Sequence, residues 1–200
     1  MTISMQKVTH IVGIDEVGRG PLAGPVTVCA CKVPHQFDFS YFKGIKDSKK
    51  LSPKKRTEWF EKISALKSKG HLDFAIASIS AMEIDKIGIS QAIKKALNQS
   101  LESLALAPDK TLIKLDGALV APEKFLFQET IIKGDEKIPI ISAASIVAKV
   151  MRDRYMTKQA KIYPLYGFEK HKGYGTREHF RLIRKHGLSP IHRKSFCGNI

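Results

Sequence analysis

The sequence predicts an α/β fold in which a mixed β-sheet is flanked by helices. Two stretches rich in β-branched residues open the chain as strands, and later strand-like stretches alternate with segments of helical periodicity. This order is the one expected of a mixed sheet. The 200 residues, 43% of them hydrophobic, suit a single domain over residues 1–200 that ends in a short basic tail from about residue 188.

Local signals set the elements in the first half of the chain. Ser52 followed by Pro53 is a favourable helix start, and Gly70 is a suitable end. Ser80 and Glu83 form a capping-box pattern that opens a further helical region. The predicted strands are 8–15, 25–33, 37–42 and 72–78, of which the third is short. After an interruption at Gly88, a helix begins at Ser90 and ends before Pro108.

The second half alternates more regularly. A strand over residues 111–115 leads into Asp116-Gly117, and residues 125–132 form one or two short strands before Asp135. An alanine-rich segment predicts a long helix over 141–162, which Pro164 ends. A loop over 163–175 follows, Thr176 caps a last helix that ends at Gly187, and the tail over 188–200 is expected to be irregular.

Charge and cysteine usage narrow the function classes. The chain carries 34 Lys+Arg against 19 Asp+Glu, a formal net charge of +15, which favours a polyanionic partner such as nucleic acid. The three cysteines, Cys29, Cys31 and Cys197, lack metal-site spacing and suit free thiols in a reducing compartment, with Cys29 and Cys31 on one strand face. No apolar stretch is long enough for a signal peptide or membrane helix. We therefore expect a cytoplasmic protein without a membrane partner.

The segment over residues 11–25 gives the strongest indication of a functional site. Two adjacent carboxylates, Asp15 and Glu16, follow an apolar run and precede the turn Gly18-Arg19-Gly20. If the strand bends at its end into this turn, both carboxylates can converge on one cation. The alternative is a solvated turn after a strand. A dinucleotide fingerprint is disfavoured, because prolines bracket the turn and a strand follows it.

Further carboxylates occupy equivalent positions. Asp116 ends a later strand, and Asp135 precedes the long helix. Ligands gather at strand ends in α/β sheets, and oxygen ligands without histidine or cysteine select Mg²⁺ or Mn²⁺. Glu136 and Asp153 compete with Asp135 as the fourth ligand. Local ion pairing within the helix is the plainer account of Asp153, so we choose Asp135.

Six motifs together resemble the ribonuclease HII family, from about residue 11 to residue 196. They are DEVGRGPLAGPV, DSKKLSPKKR, KLDG, IKGDEKIPIISAASIVAKVMRDR, YGFEKHKGYGT and HRKSF. The resemblance implies an RNase H-like fold and an endonuclease that cuts the RNA strand of RNA–DNA hybrids and single ribonucleotides in duplex DNA. It also implies that Asp15, Glu16, Asp116 and Asp135 bind Mn²⁺ or Mg²⁺, with two ions bound when the substrate is present.

The resemblance also implies residues for substrate recognition. The turn Gly18-Arg19-Gly20 would read the ribose 2′-hydroxyl together with Tyr174, whose ring would pack on the next sugar. Arg19, Lys46, Lys49, Lys172 and Arg193 are the expected phosphate contacts, although each alone could be a solvated charge. Cleavage on the 5′ side of the ribonucleotide would leave 3′-hydroxyl and 5′-phosphate ends. His171 is not assigned a catalytic role.

The sister family ribonuclease HIII resembles this chain less well. It typically has GKG where this chain has Gly18-Arg19-Gly20, a glutamate as fourth ligand, and an extra N-terminal domain for which too few residues precede Val8. Some relatives continue into a C-terminal helical extension, so we expect substrate affinity to depend here on the basic loops.

We expect this protein to be a monomer. The non-enzymatic alternative is a basic nucleic-acid-binding module whose acids pair with lysines.

Overall fold

The computed structural model describes residues 8–198 and 200, and a five-stranded mixed sheet forms its centre. Its strands are β1 (His10–Val17), β2 (Val26–Pro34), β3 (Asp73–Ile79), β4 (Thr111–Asp116) and β5 (Phe127–Ile131). They lie in the order β3-β2-β1-β4-β5. The pairs β1–β2 and β2–β3 are antiparallel, whereas β1–β4 and β4–β5 are parallel.

Helices cover both faces of the sheet. They are α1 (Pro53–Ser68), α2 (Ala81–Ile87), α3 (Ile89–Glu102), α4 (Gly134–Lys137), α5 (Pro139–Ile162), α6 (Phe168–His171) and α7 (Arg177–His186). One apolar core lies between the sheet and α2 and α3, and a second lies between the sheet and α1 and α5. The predicted α/β class, with a mixed sheet flanked by helices, is confirmed.

Helix α5 packs directly on β1 at Gly13. A Cβ atom at this position would lie 2.5 Å from the carbonyl carbon of Ile140, closer than real side chains allow. The absence of a side chain therefore permits the helix to approach the strand backbone. This contact brings the first turn of α5 beside the carboxylates that follow in β1.

Three predicted helix starts are confirmed by their hydrogen bonds, whereas the helices predicted from residues 90 and 141 begin at Ile89 and Pro139. The Ser52 hydroxyl accepts from the Lys55 amide at 3.3 Å, and the Ser80 hydroxyl accepts from the Glu83 amide at 3.2 Å. Thr176 caps α7 in the same way, by accepting from the amide of His179 at 3.2 Å. Each cap satisfies an amide that has no partner within its own helix.

The predicted third strand at 37–42 is wrong. Residues Phe39–Phe42 form a short 3₁₀ helix, which Asp38 caps by accepting from the Ser40 amide at 2.9 Å. The rings of Phe37, Phe39 and Phe42 pack on one another, with centroids 5.3 to 6.3 Å apart. Ring packing and the local cap therefore decide the conformation of a segment whose composition alone suggests a strand.

The chain ends differ from the expectation in one respect. The loose terminus predicted before Val8 lies outside the described residues. The basic tail was expected to be irregular, but it contains a 3₁₀ turn, Lys194–Phe196, and a β-bridge between Ala23 and His192 connects it to the rest of the domain.

Cys29 and Cys31 are both buried in the core on the α5 side, as predicted. Among the described helices, none combines the length and apolar character of a membrane span.

Candidate active site

Two of the predicted ligands lie side by side because β1 and β4 are parallel neighbours. The register pairs Ile14 with Leu115, so the next residues, Asp15 and Asp116, lie next to each other. Side chains at matching positions of paired strands point to the same face of the sheet. The Asp15 carboxylate is 4% exposed and accepts a hydrogen bond from the Glu16 amide at 2.8 Å.

Asp135 reaches the same place through a backbone contact with Asp116. The Asp116 Oδ1 atom accepts from the amide of Gly134 at 2.7 Å and from the amide of Asp135 at 3.4 Å, at the start of α4. The hydroxyl of Ser142 in α5 donates to the Asp135 carbonyl at 2.7 Å. Asp135 is thus held between a strand end and the long helix.

Asp15, Asp116 and Asp135 form one group. Each offers a carboxylate oxygen, and these oxygens all lie within 4.8 Å of one another. An all-oxygen ligand set of this size fits a hard divalent cation such as Mg²⁺ or Mn²⁺. The residues of this group therefore fit the metal that the sequence predicts.

Glu16 does not join this group, contrary to the expectation that the strand bends at its carboxylates. Strand β1 continues to Val17, and its pairing with β2 includes Asp15 with Cys29 and Glu16 with Val28. Consecutive side chains of a continuous strand point to opposite faces. Glu16 nevertheless lies close enough to Asp116 for the Asp116 charge to raise its pKa.

Burial and mutual repulsion disfavour ionisation at this site. Burial raises the pKa of Asp15 well above its ordinary value, and the charges of Glu16 and Asp116 add to the effect, while the Ser145 hydroxyl opposes it. Burial likewise raises the pKa of Glu16, against which Arg19 and Lys49 act. Such a cluster of buried carboxylates gains from a bound cation, which favours the charged forms of all its members.

The segment 46–51 places a lysine over the carboxylate group. Lys49 Nζ lies 3.3 Å from Asp135 Oδ2, and the lysine side chain is 75% exposed. Lys46 is also exposed, but it forms no ion pair within the described chain. The segment is anchored to α5 by the hydroxyl contact of Ser48 with Ser145 at 2.9 Å. Lys49 therefore contacts one of the candidate metal ligands directly.

Asp47 lies beside Asp135 and was not predicted from the sequence as part of the site. Its side chain is 5% exposed, and burial raises its pKa, to which the neighbouring Asp135 carboxylate contributes. Its Oδ1 atom accepts from the Lys49 amide at 2.9 Å. A single carboxylate inside an otherwise basic segment is the sequence signal that could have identified it.

Arg193 holds the turn Gly18-Arg19-Gly20 and does not face solvent. Its side chain is fully buried, and its guanidinium donates to the carbonyls of Gly18, Arg19 and Gly24 at 2.6, 3.0 and 2.9 Å. The expectation of a direct phosphate contact is therefore wrong for this residue in the described conformation. Its donors are already used to orient the turn.

Arg152 of α5 supports the same segment from the other side. It is 1% exposed and donates to the carbonyls of Ala23, Pro25 and Lys172 at 3.1, 2.9 and 3.0 Å. Gly18 has a φ of +88° and lies against this guanidinium, so a side chain there would be strained and would clash. Arg152 was missed because an arginine in a charged helical sequence reads as a surface residue.

Within the turn, Arg19 and Gly20 are exposed while Gly18 is buried. The two guanidinium groups draw the carbonyls of residues 18, 19 and 23–25 inward. Arg19 and Gly20 are then accessible to a ligand on the outer side of the turn. A ligand can therefore approach the backbone of the turn closely from this side.

Tyr174 is 38% exposed beside this turn. The Lys149 ammonium lies 5.5 Å from its ring centroid, and the Arg152 guanidinium lies 5.7 Å from it. Lys172 precedes it in a left-handed conformation and donates to the Thr157 hydroxyl at 2.9 Å. Arg152 thus contacts both the segment after the turn and the aromatic ring.

Three histidines support the backbone of Tyr174. His179 Nδ1 lies 2.9 Å from the Tyr174 carbonyl, and His179 Nε2 lies 3.0 Å from His192 Nε2. His192 Nδ1 accepts from the Ser189 amide at 2.8 Å, so its proton is on Nε2 and is donated to His179. The His171 ring stacks on His179 at 4.1 Å. Burial lowers the pKa of His179 and of His192 to about 4, which keeps both rings neutral.

The two rejected ligand candidates have other partners. Lys50 Nζ lies 2.6 Å from Glu136 Oε2, and Lys149 Nζ lies 2.9 Å from Asp153 Oδ1. The interpretation of Asp153 as one member of a local ion pair is confirmed. Neither carboxylate belongs to the group formed by Asp15, Asp116 and Asp135.

The sheet order and the carboxylate group define the class of this protein: a metal-dependent nuclease with an RNase H-like α/β fold. A family model described as ribonuclease HII matches residues 12–199. The chain belongs to the ribonuclease HII family, and it is an RNase H endonuclease that hydrolyses phosphodiesters.

Relatives and a solved structure agree with this assignment. Ribonuclease HII of Shouchella clausii is 47% identical over 189 residues, which cover 93% of this chain and 68% of the relative. Ribonuclease HII of Caldicellulosiruptor saccharolyticus is 46% identical over 190 residues, which cover 95% and 88%. The fold is similar to that in a structure of the PCNA:RNase HII complex from Archaeoglobus fulgidus, with a TM-score of 0.71, 26% identity, and coverage of 92% and 93% of the two chains.

Proposed function

We propose that this chain cuts the RNA strand of RNA–DNA hybrids and also cuts on the 5′ side of a single ribonucleotide in duplex DNA. The products would carry 3′-hydroxyl and 5′-phosphate ends. The observation that carries the proposal is the meeting of Asp15, Asp116 and Asp135 within 4.8 Å, beside a turn whose exposed backbone can approach a sugar. The basic composition of the chain favours a nucleic-acid substrate.

Asp15, Asp116 and Asp135 would hold Mn²⁺ or Mg²⁺. Glu16 lies outside this group but close enough to Asp116 for their charges to interact, and it would become a ligand when two ions are bound. Bound divalent ions would lower the pKa of an attacking water and stabilise the leaving 3′-oxygen. Lys49, paired with Asp135 at 3.3 Å, would bind a substrate phosphate near the carboxylates. Its long exposed side chain can exchange a carboxylate partner for a phosphate.

Recognition of the ribonucleotide would depend on the 2′-hydroxyl, which donates and accepts hydrogen bonds. Gly18-Arg19-Gly20 would contact that hydroxyl through the backbone, and the exposed face of Tyr174 would pack on a neighbouring sugar. Arg19, Lys46 and Lys172 would contact phosphates around the site. Arg193 would act through the turn that it holds.

The test is a chelator-controlled cleavage assay on three duplexes of one sequence: a full RNA–DNA hybrid, DNA with one ribonucleotide, and plain DNA. We expect Mn²⁺-dependent cutting of the first two, inhibition by EDTA, and no cutting of plain DNA. Asp116→Asn should lower the rate by more than about a thousandfold, because the variant loses a carboxylate of the group. Binding without chelator-sensitive cutting would contradict the proposal and favour a nucleic-acid-binding module.

A further inference from the structure

A second feature, a basic groove, begins at Tyr174 and follows the second half of α5. We define it by Arg154, Lys158 and Lys161 of α5, Arg56 of α1, and Lys170 and Lys172 at and after α6. The groove has a volume of about 1030 Å³. It lies beyond the carboxylates, and none of the three grouped aspartates lines it.

The cations of the groove form a row along one side of α5. Residues 154, 158 and 161 are spaced by four and three positions, so their side chains share one face of the helix. All three are exposed, and the Arg154 guanidinium lies 4.5 Å from the Phe60 ring centroid. Lys158 and Lys161 form no ion pair with any other described residue.

The opposing charges in the groove are few. Its carboxylates are Asp153 and Glu169, and Asp153 is already paired with Lys149 at 2.9 Å. Lys149 in turn lies 5.5 Å from the Tyr174 ring centroid. The row of cations is therefore continuous with the aromatic ring proposed to pack on the sugar.

We infer that the basic groove binds the phosphate backbone of the DNA that flanks the ribonucleotide on one side. The inference rests on the proposed function, because it requires Tyr174 to face the same duplex. A concave row of cations that begins at the recognition residue fits a duplex continuing past the cleavage site. From Lys149 to Lys161 the helix rises about 18 Å, which corresponds to about five base pairs of duplex.

The test compares two double variants with the same change of charge. Lys158→Gln/Lys161→Gln removes two cations of the groove, and Lys86→Gln/Lys94→Gln removes two exposed cations from α2 and α3 on the opposite face of the sheet. Both pairs are placed in an Asp116→Asn background, which prevents cleavage. Binding to a fluorescent duplex with one ribonucleotide is then measured by anisotropy from 50 to 300 mM salt.

Each lost phosphate contact lowers the slope of log affinity against log salt by about one. We expect the groove variant to bind about tenfold more weakly at low salt, with a slope smaller by about two. The control should match its parent. An unchanged slope in the groove variant, or an equal loss in the control, would overturn the inference.

A second measurement uses the unmodified enzyme and duplexes shortened on either side of the ribonucleotide. Removing base pairs within about five positions on one side should raise KM, while the same removal on the other side should have a smaller effect. Equal effects on both sides would also overturn the inference. Absence of cleavage on every duplex would instead contradict the proposed function, so the two failures are distinguishable.

Discussion

Two regions of this molecule bury charge in opposite ways. At the carboxylate group, Asp15 and Asp135 are buried next to Asp116, and Lys49 is the described side chain that forms an ion pair with the group. At the turn Gly18-Arg19-Gly20, Arg152 and Arg193 are buried without a carboxylate partner among the described residues, yet each donates three hydrogen bonds to backbone carbonyls.

The difference separates a ligand site from a support. Burial raises the pKa of Asp15 well above its ordinary value, although the Ser145 hydroxyl and the Glu16 amide oppose this effect. Burial also disfavours the charged form of Arg193, whose pKa falls to about 9. The guanidinium groups satisfy their donors within the chain, so their role is to fix geometry. A group of like charges that share one space marks where a cation would bind, and guanidinium groups bonded to backbone carbonyls mark the residues that position the turn.

Among the residues that support the turn and Tyr174, His179 and His192 should have the largest effect, which is on the pH dependence of the free energy of unfolding. Their pKa is about 4 in the folded protein, against an ordinary value of 6.5. Above pH 6.5 both states are neutral, but between pH 6.5 and 4 the unfolded chain binds protons that the folded chain does not. The free energy of unfolding should therefore fall as the pH falls, by up to about 3 kcal/mol per ring.

Urea unfolding at pH 7, 6, 5 and 4.5 measures this dependence. His179→Gln/His192→Gln cannot be protonated and should show a flatter profile over that range, even if it is less stable at pH 7. His71→Gln, at an exposed position, should retain the profile of the parent. Equal profiles for the parent and the double variant would show that these two rings do not cause the pH dependence of the free energy of unfolding.

Replacing Arg193 tests whether the turn needs its support. Arg193→Lys retains a positive charge but cannot make the three bonds to the carbonyls of Gly18, Arg19 and Gly24. We expect kcat/KM on the one-ribonucleotide duplex to fall about 10- to 100-fold, because a displaced turn misaligns the substrate.

Two controls separate positioning from a general loss of stability. Rates are measured well below the Tm of each variant, and the exposed Arg181→Lys should behave as the parent does. The loss should appear mainly in kcat if the turn positions the bound substrate. An intact kcat with an unchanged preference for ribonucleotide-containing duplex would show that Arg193 only stabilises the fold.

The smallest effect is expected at Tyr174. Tyr174→Ala should slow cleavage at a single ribonucleotide by about tenfold, the value of one ring packed on a sugar. Tyr174→Phe keeps the ring and should retain most of the parental rate. A rate for the alanine variant equal to that of the parent would argue against sugar recognition by this ring.

Much of the carboxylate group could be predicted from sequence. Asp15 and Asp116 follow apolar strands whose parallel pairing places them together, and Asp135 stands next to a glycine before a helix. Glu16 could not be placed, because whether β1 bends after residue 15 depends on its pairing with β2. That pairing is a tertiary contact that local sequence does not specify.

The supporting residues were harder to predict. Nothing in the sequence around Arg152 or Arg193 distinguishes a buried arginine from the many exposed basic residues of this chain. Their burial depends on carbonyls more than one hundred positions away in sequence. Asp47 offered a weak signal, a carboxylate in a basic segment, but its approach to Asp135 is likewise a long-range contact.

The central claim is that three aspartates distant in sequence form one cation site, and Mn²⁺ binding measured by calorimetry tests it most directly. Asp135→Asn should weaken Mn²⁺ binding by at least about tenfold, whereas Glu136→Gln, whose carboxylate pairs with Lys50, should bind Mn²⁺ as the parent does. Equal affinity of the parent and Asp135→Asn would contradict the account.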